Sequence, residues 1–154
     1  MAMPVMTMSF AASDFMIVLD TNVISEMQGR THSERILNWL DVYDVETLFL
    51  TTIAVAEMRY GLELLDDGRR KTALVSDFNR IESEFSGRIL GFSLSAAHRY
   101  GLLAAERRKA GRPMETKDAM IAAICLANGA TLATRNSRDF EGLDLKLVNP
   151  FEDG

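Results

Sequence analysis

Five short apolar segments alternate along the chain with longer segments of helical periodicity, and no other feature of the sequence limits the fold as much. The apolar segments cover residues 16–19, 47–52, 88–93, 131–134 and 145–148. The helical segments cover residues 33–42, 53–65, 70–86, 93–111 and 117–130. Strands that alternate with helices are typical of a parallel sheet with helices on both faces. The sequence therefore predicts an α/β fold, a three-layer α/β/α sandwich with a mostly parallel sheet.

Length and composition indicate one globular domain. The chain has 154 residues, of which 47% are hydrophobic, and a chain of this length buries a core without disulfides or structural metals. We expect residues 1–15 to form a disordered N-terminal extension and residues 16–154 to form the domain. No apolar run is long enough to span a bilayer. The single cysteine, Cys125, fits core packing in a reducing compartment, so a cytoplasmic protein without membrane association is expected.

The charge distribution bears on binding to nucleic acids. The net charge of −5 at pH 7 argues against indiscriminate nucleic-acid binding. Basic residues nevertheless cluster at positions 68–71 and 106–112. Taken alone, each cluster is better explained as a solvated helix end, so charge by itself does not identify a binding surface.

A carboxylate follows the first apolar segment directly, because Asp20 comes after residues 16–19. In an open parallel sheet, ligands bind outside the carboxyl ends of the strands, which makes Asp20 a candidate site residue. The competing interpretation is that Asp20, Thr21 or Asn22 only caps the next helical turn. For Asp20 by itself the two interpretations are about equally supported.

Glu57 lies on the predicted helix 53–65, on the same face as Gly61, Leu64 and other apolar residues. A solvent-facing role does not explain a carboxylate among apolar side chains well, so a functional role for Glu57 is favoured. Gly61 costs about 1 kcal/mol of helix propensity relative to alanine, so close packing against a neighbour is expected there. The alternative is a glutamate at the edge of the apolar stripe, paired with Arg59 or with an arginine elsewhere.

Further polar residues stand at equivalent places later in the chain. Asp118 opens the most apolar helix, in which residues 119–127 include no polar side chain, so its first turn is expected at a cleft or covered edge. Asn136 and Asp139 lie just past the strand at 131–134. For each residue alone a local structural role is the better explanation, since acids are common in first helical turns and Asn and Asp are common in turns.

These acids considered together favour a metal site. In an α/β sheet, the strand ends and the helical turns that follow them share one edge. Several unneutralised carboxylates at that edge would repel one another, and a divalent cation is the simplest compensation. Oxygen ligands without histidine or cysteine favour Mg²⁺ or Mn²⁺ over zinc. His32 and His98 have no partner at ligand spacing and are expected on the surface.

Four segments in order resemble the PIN-domain ribonucleases, and most closely the toxins of VapBC-type bacterial toxin–antitoxin pairs. The segments are "IVLDTNVISE", "TIAVAEMRYGL", "TKDAMIAAICLANGATLATRNSRDF" and "VNPF". The resemblance covers roughly residues 16–152. The fold it implies is the PIN-like α/β sandwich, in agreement with the alternation of strands and helices.

The resemblance also implies an activity, a cofactor and a set of site residues. The activity is that of an endoribonuclease that hydrolyses RNA phosphodiester bonds with Mg²⁺ or Mn²⁺. The implied catalytic residues are Asp20, Glu57 and Asp118, which hold the metal, and Asn136 at the family's fourth position. Because Asn136 carries no charge, Asp139 is the alternative fourth residue, and the choice between one metal and two stays open.

Further residues are implied as substrate-binding candidates or as supports of the site. They are Thr21, Asn22, Arg112, Lys117, Thr134 and Asp139, with Arg107, Arg108 and Lys109 from the second basic cluster. The implied partners are the RNA substrate, a cognate antitoxin and a second copy of the chain in a homodimer, which can enter a larger toxin–antitoxin assembly.

Two rival functions are open at this point. A HAD-type phosphatase would use Asp20 as its nucleophile, but that family has a second aspartate two residues on, where this chain has Asn22. The other rival is a PIN-like module with weak or lost catalysis that binds protein or nucleic acid. The three acids argue against that module, whereas Asn136 gives it slight support.

Overall fold

The computed structural model describes residues 15–28 and 33–152, which form one parallel sheet and its surrounding helices. The strands are β1 (Ile17–Leu19), β2 (Leu48–Thr51), β3 (Ile89–Leu90), β4 (Thr131–Ala133) and β5 (Leu147–Val148). The helices are α1 (Thr21–Ser25), α2 (Glu34–Asp41), α3 (Thr52–Glu63), α4 (Arg69–Glu84), α5 (Leu94–Lys109) and α6 (Thr116–Asn128). Short 3₁₀ helices cover Val45–Thr47 and Ser137–Phe140. The predicted extension, residues 1–15, lies outside the described residues except for Phe15, and so does His32.

The strand order is β3-β2-β1-β4-β5, and every neighbouring pair is parallel. All five predicted strands are therefore confirmed. The central strand β1 pairs with β4 so that Leu19 lies opposite Ala133. This register places the residues that follow, Asp20 and Thr134, side by side at the carboxyl edge of the sheet. The fold thus brings together two parts of the sequence that are more than a hundred residues apart.

Side chains of β1 alternate between two hydrophobic cores, one on each face of the sheet. Ile17 and Leu19 pack into the core that includes buried residues of α1 to α4. Val18 packs into the other core, with buried residues of α5 and α6. Because successive strand residues point to opposite faces, a strand that is fully buried needs a helical layer on each side. The three-layer prediction is confirmed.

Helix α6 is the buried helix that its apolar sequence predicts. Its buried residues are Ala119, Ile121, Ala122, Ala123, Ile124 and Cys125. Burial raises the pKa of the Cys125 thiol, which agrees with a role in core packing. The helix ends at Gly129, whose φ of 63° is left-handed and suits glycine. Across the described ranges, no helix combines the length and apolarity needed to cross a bilayer.

Helix α3 contacts the core with a different face from the one predicted. Gly61 is exposed, and a Cβ atom added there would meet nothing within 4 Å, so the expected close packing at Gly61 is wrong. Leu64 is 67% exposed. The residues that face the core are Ala54, Met58 and Leu62. Glu57 therefore lies at the border of the buried face, with its side chain 23% exposed.

Candidate active site

Asp20 is fixed at the carboxyl edge of the sheet by its backbone and by both carboxylate oxygens. Its N–H donates to the carbonyl of Ala133 at 2.9 Å, which extends the β1–β4 ladder by one residue. One carboxylate oxygen accepts from the N–H of Thr21 and the other from the hydroxyl of Thr134, both at 2.8 Å. Burial, assisted by the charge of Glu57, raises the pKa of Asp20. Asp20 thus caps α1 and at the same time belongs to an acidic cluster.

Thr134 and Asn22 hold the turn after β4 against α1. The Thr134 hydroxyl is fully buried and accepts from the side-chain amide of Asn22 at 3.3 Å and from the N–H of Asn136 at 3.1 Å. The amide oxygen of Asn22 accepts from the N–H of Arg135 at 3.0 Å. Both side chains are therefore held by hydrogen bonds, and they help to fix the orientation of Asp20.

Glu57 joins α1, α3 and α6 at the site. One of its oxygens accepts from the Thr21 hydroxyl at 2.9 Å, and the other pairs with the Nζ of Lys117 at 3.1 Å. The hydrogen bond to Glu57 raises the pKa of Lys117. Arg59 instead pairs with Glu82 at 2.9 Å, so the predicted alternative of a Glu57–Arg59 pair is wrong.

Asp118, in the first turn of α6, has four acids near enough to affect its ionisation. Burial first, and then the charges of Asp20, Glu115, Asp139 and Glu57, raise the pKa of Asp118 to about 6. Within the described part of the chain, its carboxylate has neither a hydrogen-bond donor nor an ion-pair partner. The charge of the neighbouring Lys117 interacts with Asp118, but Lys117 forms its ion pair with Glu57.

The two candidates for the fourth site residue differ in their surroundings. Asn136 is exposed and precedes the 3₁₀ helix Ser137–Phe140; its side chain forms no hydrogen bond with a described residue. Asp139 contributes to the raised pKa of Asp118 and lines a groove together with it. Asp139 is therefore the candidate that the structure couples electrostatically to the acidic cluster.

Asp118 lines a groove of about 360 Å³. Its lining residues are Arg107, Arg112, Pro113, Met114, Glu115, Asp118, Arg138 and Asp139. Arg112, a predicted substrate-binding residue, is among them, whereas Arg108 and Lys109 are not. Arg138 was missed by the reasoning from sequence, although it stands in the same post-strand segment as Asn136 and Asp139, which was a usable signal.

The donor set is compatible with a hard divalent cation, although it does not form a closed cage. Among the described residues, no three His, Cys, Asp or Glu side chains are placed to hold one metal ion. Mg²⁺ is usually held by only one or two carboxylates, and it completes its shell with water and substrate phosphate. Asp20 and Asp118 are electrostatically coupled, and neither pairs with a cation among the described residues. This oxygen-only pair fits Mg²⁺ or Mn²⁺, while Lys117 already neutralises Glu57.

Comparison with known proteins agrees with this geometry. Residues 17–145 match the PIN domain. The chain belongs to the PIN-domain family. Its relatives include the plasmid stability protein StbB of Pseudomonas syringae pv. tomato, which is 45% identical over 89% of this chain and 99% of the relative. The VapC ribonuclease Y4jK of Sinorhizobium fredii is 40% identical over 89% of this chain and 99% of the relative.

A solved structure shares both the fold and a sizeable part of the sequence. The structure of FitAB bound to an IR36 DNA fragment contains a chain that superposes with a TM-score of 0.82 and 37% identity. The match covers 88% of this chain and 96% of that chain. The similarity in fold and sequence therefore extends over most of this chain.

Proposed function

We propose that this PIN-domain protein is an endoribonuclease and acts as the toxin of a toxin–antitoxin pair. The observation that carries the proposal is the coupling of Asp20, Glu57 and Asp118 at one edge of the sheet, in a chain that is 40% identical to a VapC ribonuclease. Three separate segments supply these acids, so a capping role for each one does not explain why they meet. Hydrolysis of a phosphodiester bond is the chemistry that such a cluster suits.

We propose further that the cluster uses Mg²⁺ or Mn²⁺, held by Asp20 and Asp118, with Glu57 as a direct or water-mediated ligand. When bound, such an ion lowers the pKa of a water molecule and offsets the charge of the scissile phosphate. This proposal is supported by the oxygen-only donors and by the lack of a partner for Asp118 among the described residues.

The residues around the cluster prepare it for this reaction. Thr134 and the N–H of Thr21 hold the Asp20 carboxylate in one orientation, so little reorganisation is needed when it binds a ligand. The Thr21 hydroxyl holds Glu57, which is proposed to orient the attacking water. Lys117 brings a positive charge next to Glu57, where it would also attract the RNA backbone. Asn136, exposed at the site, is proposed to contact the substrate.

We propose the remaining assignments from the family and its solved complexes. The partners are a cognate antitoxin and a second copy of this chain, in an assembly comparable to FitAB, which was solved on DNA. The proposed location is the cytoplasm. The HAD-type phosphatase is not favoured, because both ends of the Asn22 amide, at the position where a second acid is required, are bonded to the turn after β4. A module without catalysis is not favoured either, since it would not explain an unpaired Asp118.

A cleavage assay with matched variants tests the proposal. Purified protein should cleave RNA in Mg²⁺ or Mn²⁺ and should lose that activity in EDTA and in the Asp20→Asn variant. Asp144→Asn removes an exposed acid outside the site and should cleave like the wild type. Cleavage that survives both chelation and Asp20→Asn would refute the mechanism. Co-expression with the product of a neighbouring small gene should restore the growth of cells that the protein inhibits, if that product is the antitoxin.

A further inference from the structure

Three arginines line the groove beside Asp118, and one of them is used to hold the protein together. The Nε of Arg107 donates to the carbonyl of Arg112 at 2.9 Å. Its Nη1 donates to the carbonyls of Asp139 at 3.4 Å and Glu141 at 3.2 Å. Arg107 thus connects the loop after α5 to the segment that contains the 3₁₀ helix Ser137–Phe140. It acts as a clamp between two walls of the groove.

The other two arginines are exposed, and their guanidinium groups are uncommitted. In the part of the chain that the structure describes, the side chains of Arg112 and Arg138 form no hydrogen bond or ion pair. This holds although three acids, Glu115, Asp118 and Asp139, line the same groove. Arg112 belongs to one of the segments that the clamp joins and Arg138 to the other, so Arg107 limits how far apart the two can move.

We propose that Arg112 and Arg138 bind backbone phosphates of the RNA next to the scissile bond, while Arg107 sets their separation without touching RNA. This inference rests on the proposed nuclease function. A guanidinium group presents a planar fork of donors that matches a phosphate. A chain with a net charge of −5 also needs local positive charge wherever a polyanion approaches its acidic cluster.

The position of the groove favours RNA over an acidic segment of a protein partner. Asp118, which is proposed to hold the metal ion at the scissile phosphate, lines the groove together with both arginines, and an RNA strand carries further phosphates on both sides of that phosphate. Arg112 and Arg138 would therefore be reached by the same strand. Of the other basic candidates, Lys117 is already paired with Glu57, and Arg108 does not line the groove.

Salt dependence of RNA binding provides the test. Binding of a fluorescent single-stranded RNA would be followed by anisotropy in EDTA, which prevents cleavage, over about 0.05 to 0.3 M KCl. Each phosphate contact contributes about 0.7 to the slope of log K against log[salt]. The double variant Arg112→Ala/Arg138→Ala should lose about 1.4 from that slope, which corresponds to roughly 25-fold weaker binding at about 0.1 M salt.

Matched variants separate the three roles. Arg69→Ala/Arg70→Ala also removes two exposed positive charges, from the start of α4 and outside the groove, and should leave the slope unchanged. Arg107→Ala should lower Tm, because three carbonyls lose their donor, whereas Arg112→Ala and Arg138→Ala should leave Tm unchanged. An unchanged slope in the double variant, or no measurable RNA binding by the wild type, would overturn the inference. So would a double variant that binds the antitoxin more weakly but RNA as well as the wild type does.

The same proteins distinguish failure of this inference from failure of the proposed nuclease. If the wild type cleaves RNA in Mg²⁺ or Mn²⁺ but the double variant keeps the full salt slope, the proposed nuclease function is supported and the phosphate-binding inference is refuted. If the double variant shows the reduced salt slope but the wild type cleaves no RNA with either metal, the phosphate-binding inference is supported and the proposed nuclease function is refuted.

Discussion

Replacement of Asp118 by asparagine should stabilise the metal-free protein while it abolishes cleavage. Burial and four neighbouring acids raise the pKa of Asp118 from 3.8 to about 6. At about 1.4 kcal/mol per pKa unit, a shift of this size would correspond to about 3 kcal/mol for a fully shielded group. Because Asp118 is only partly buried, solvent screening lowers the expected gain in the free energy of unfolding to about 1–2 kcal/mol.

The size of this stabilisation depends on pH, because it requires that Asp118 be ionised in the unfolded wild type. A carboxyl group whose pKa is raised by folding has no effect below its unfolded pKa of 3.8, where both states are protonated. The destabilisation grows as pH rises and is complete above about 6. The Asp118→Asn variant should therefore match the wild type near pH 4 and exceed its stability near pH 7.

Denaturant unfolding in EDTA across this pH range measures the difference, and Asp144→Asn serves as the control for loss of one exposed acid. Addition of Mg²⁺ or Mn²⁺ should stabilise the wild type more than Asp118→Asn, because a ligand that binds only the folded state raises the free energy of unfolding. The reasoning is refuted if the variant is less stable than the wild type near pH 7, or if their difference does not change with pH.

Three further predictions concern the same region. Thr134→Val leaves an oxygen of Asp20 without its donor and should lower the free energy of unfolding by about 1–3 kcal/mol, whereas the partly exposed Thr131→Val should change it by less than about 0.5 kcal/mol. Gly61→Ala should raise the free energy of unfolding by about 0.5–1 kcal/mol in a denaturation assay, because the added methyl group meets open space; destabilisation would contradict the observed face of α3. Affinity for Mn²⁺, measured by calorimetry, should fall as pH drops through about 6 and Asp118 takes up a proton; a constant affinity would show that Asp118 is not a ligand.

Much of the fold was predictable because its signals are local. The strands are short apolar runs, and their burial on both faces follows from the absence of polar alternation. The nine apolar residues after Asp118 predict a buried helix at any place in the fold, and α6 is buried as expected. The acids could be placed at one edge of the sheet without coordinates, since they follow strands or lie in the early turns of helices that come after strands.

The errors and omissions concern which side of an element faces a neighbour. The helix periodicity around Glu57 was correct, but the face was shifted, so Gly61 is exposed and Met58 is buried. The resemblance implied several residues of the basic cluster at 106–112 together as substrate-binding candidates, and the structure separates a clamping Arg107 from an uncommitted Arg112. A small rotation of a helix about its axis changes which of its side chains contact a neighbour. That rotation depends on packing against residues far away in sequence.

By itself, the sequence determined the order of strands and helices, the family and the acids that could serve a metal, because hydrophobic periodicity and residue type act over a few neighbouring positions. Only the tertiary structure decided that Lys117 neutralises Glu57, that Thr134 holds Asp20 and that Asp118 has no partner among the described residues. Those relations join residues 60 to 114 positions apart, and the pKa of Asp118 responds to all of them at once. A pKa depends on the distances from the group to every nearby charge and to solvent. Those distances are fixed only when the chain has folded.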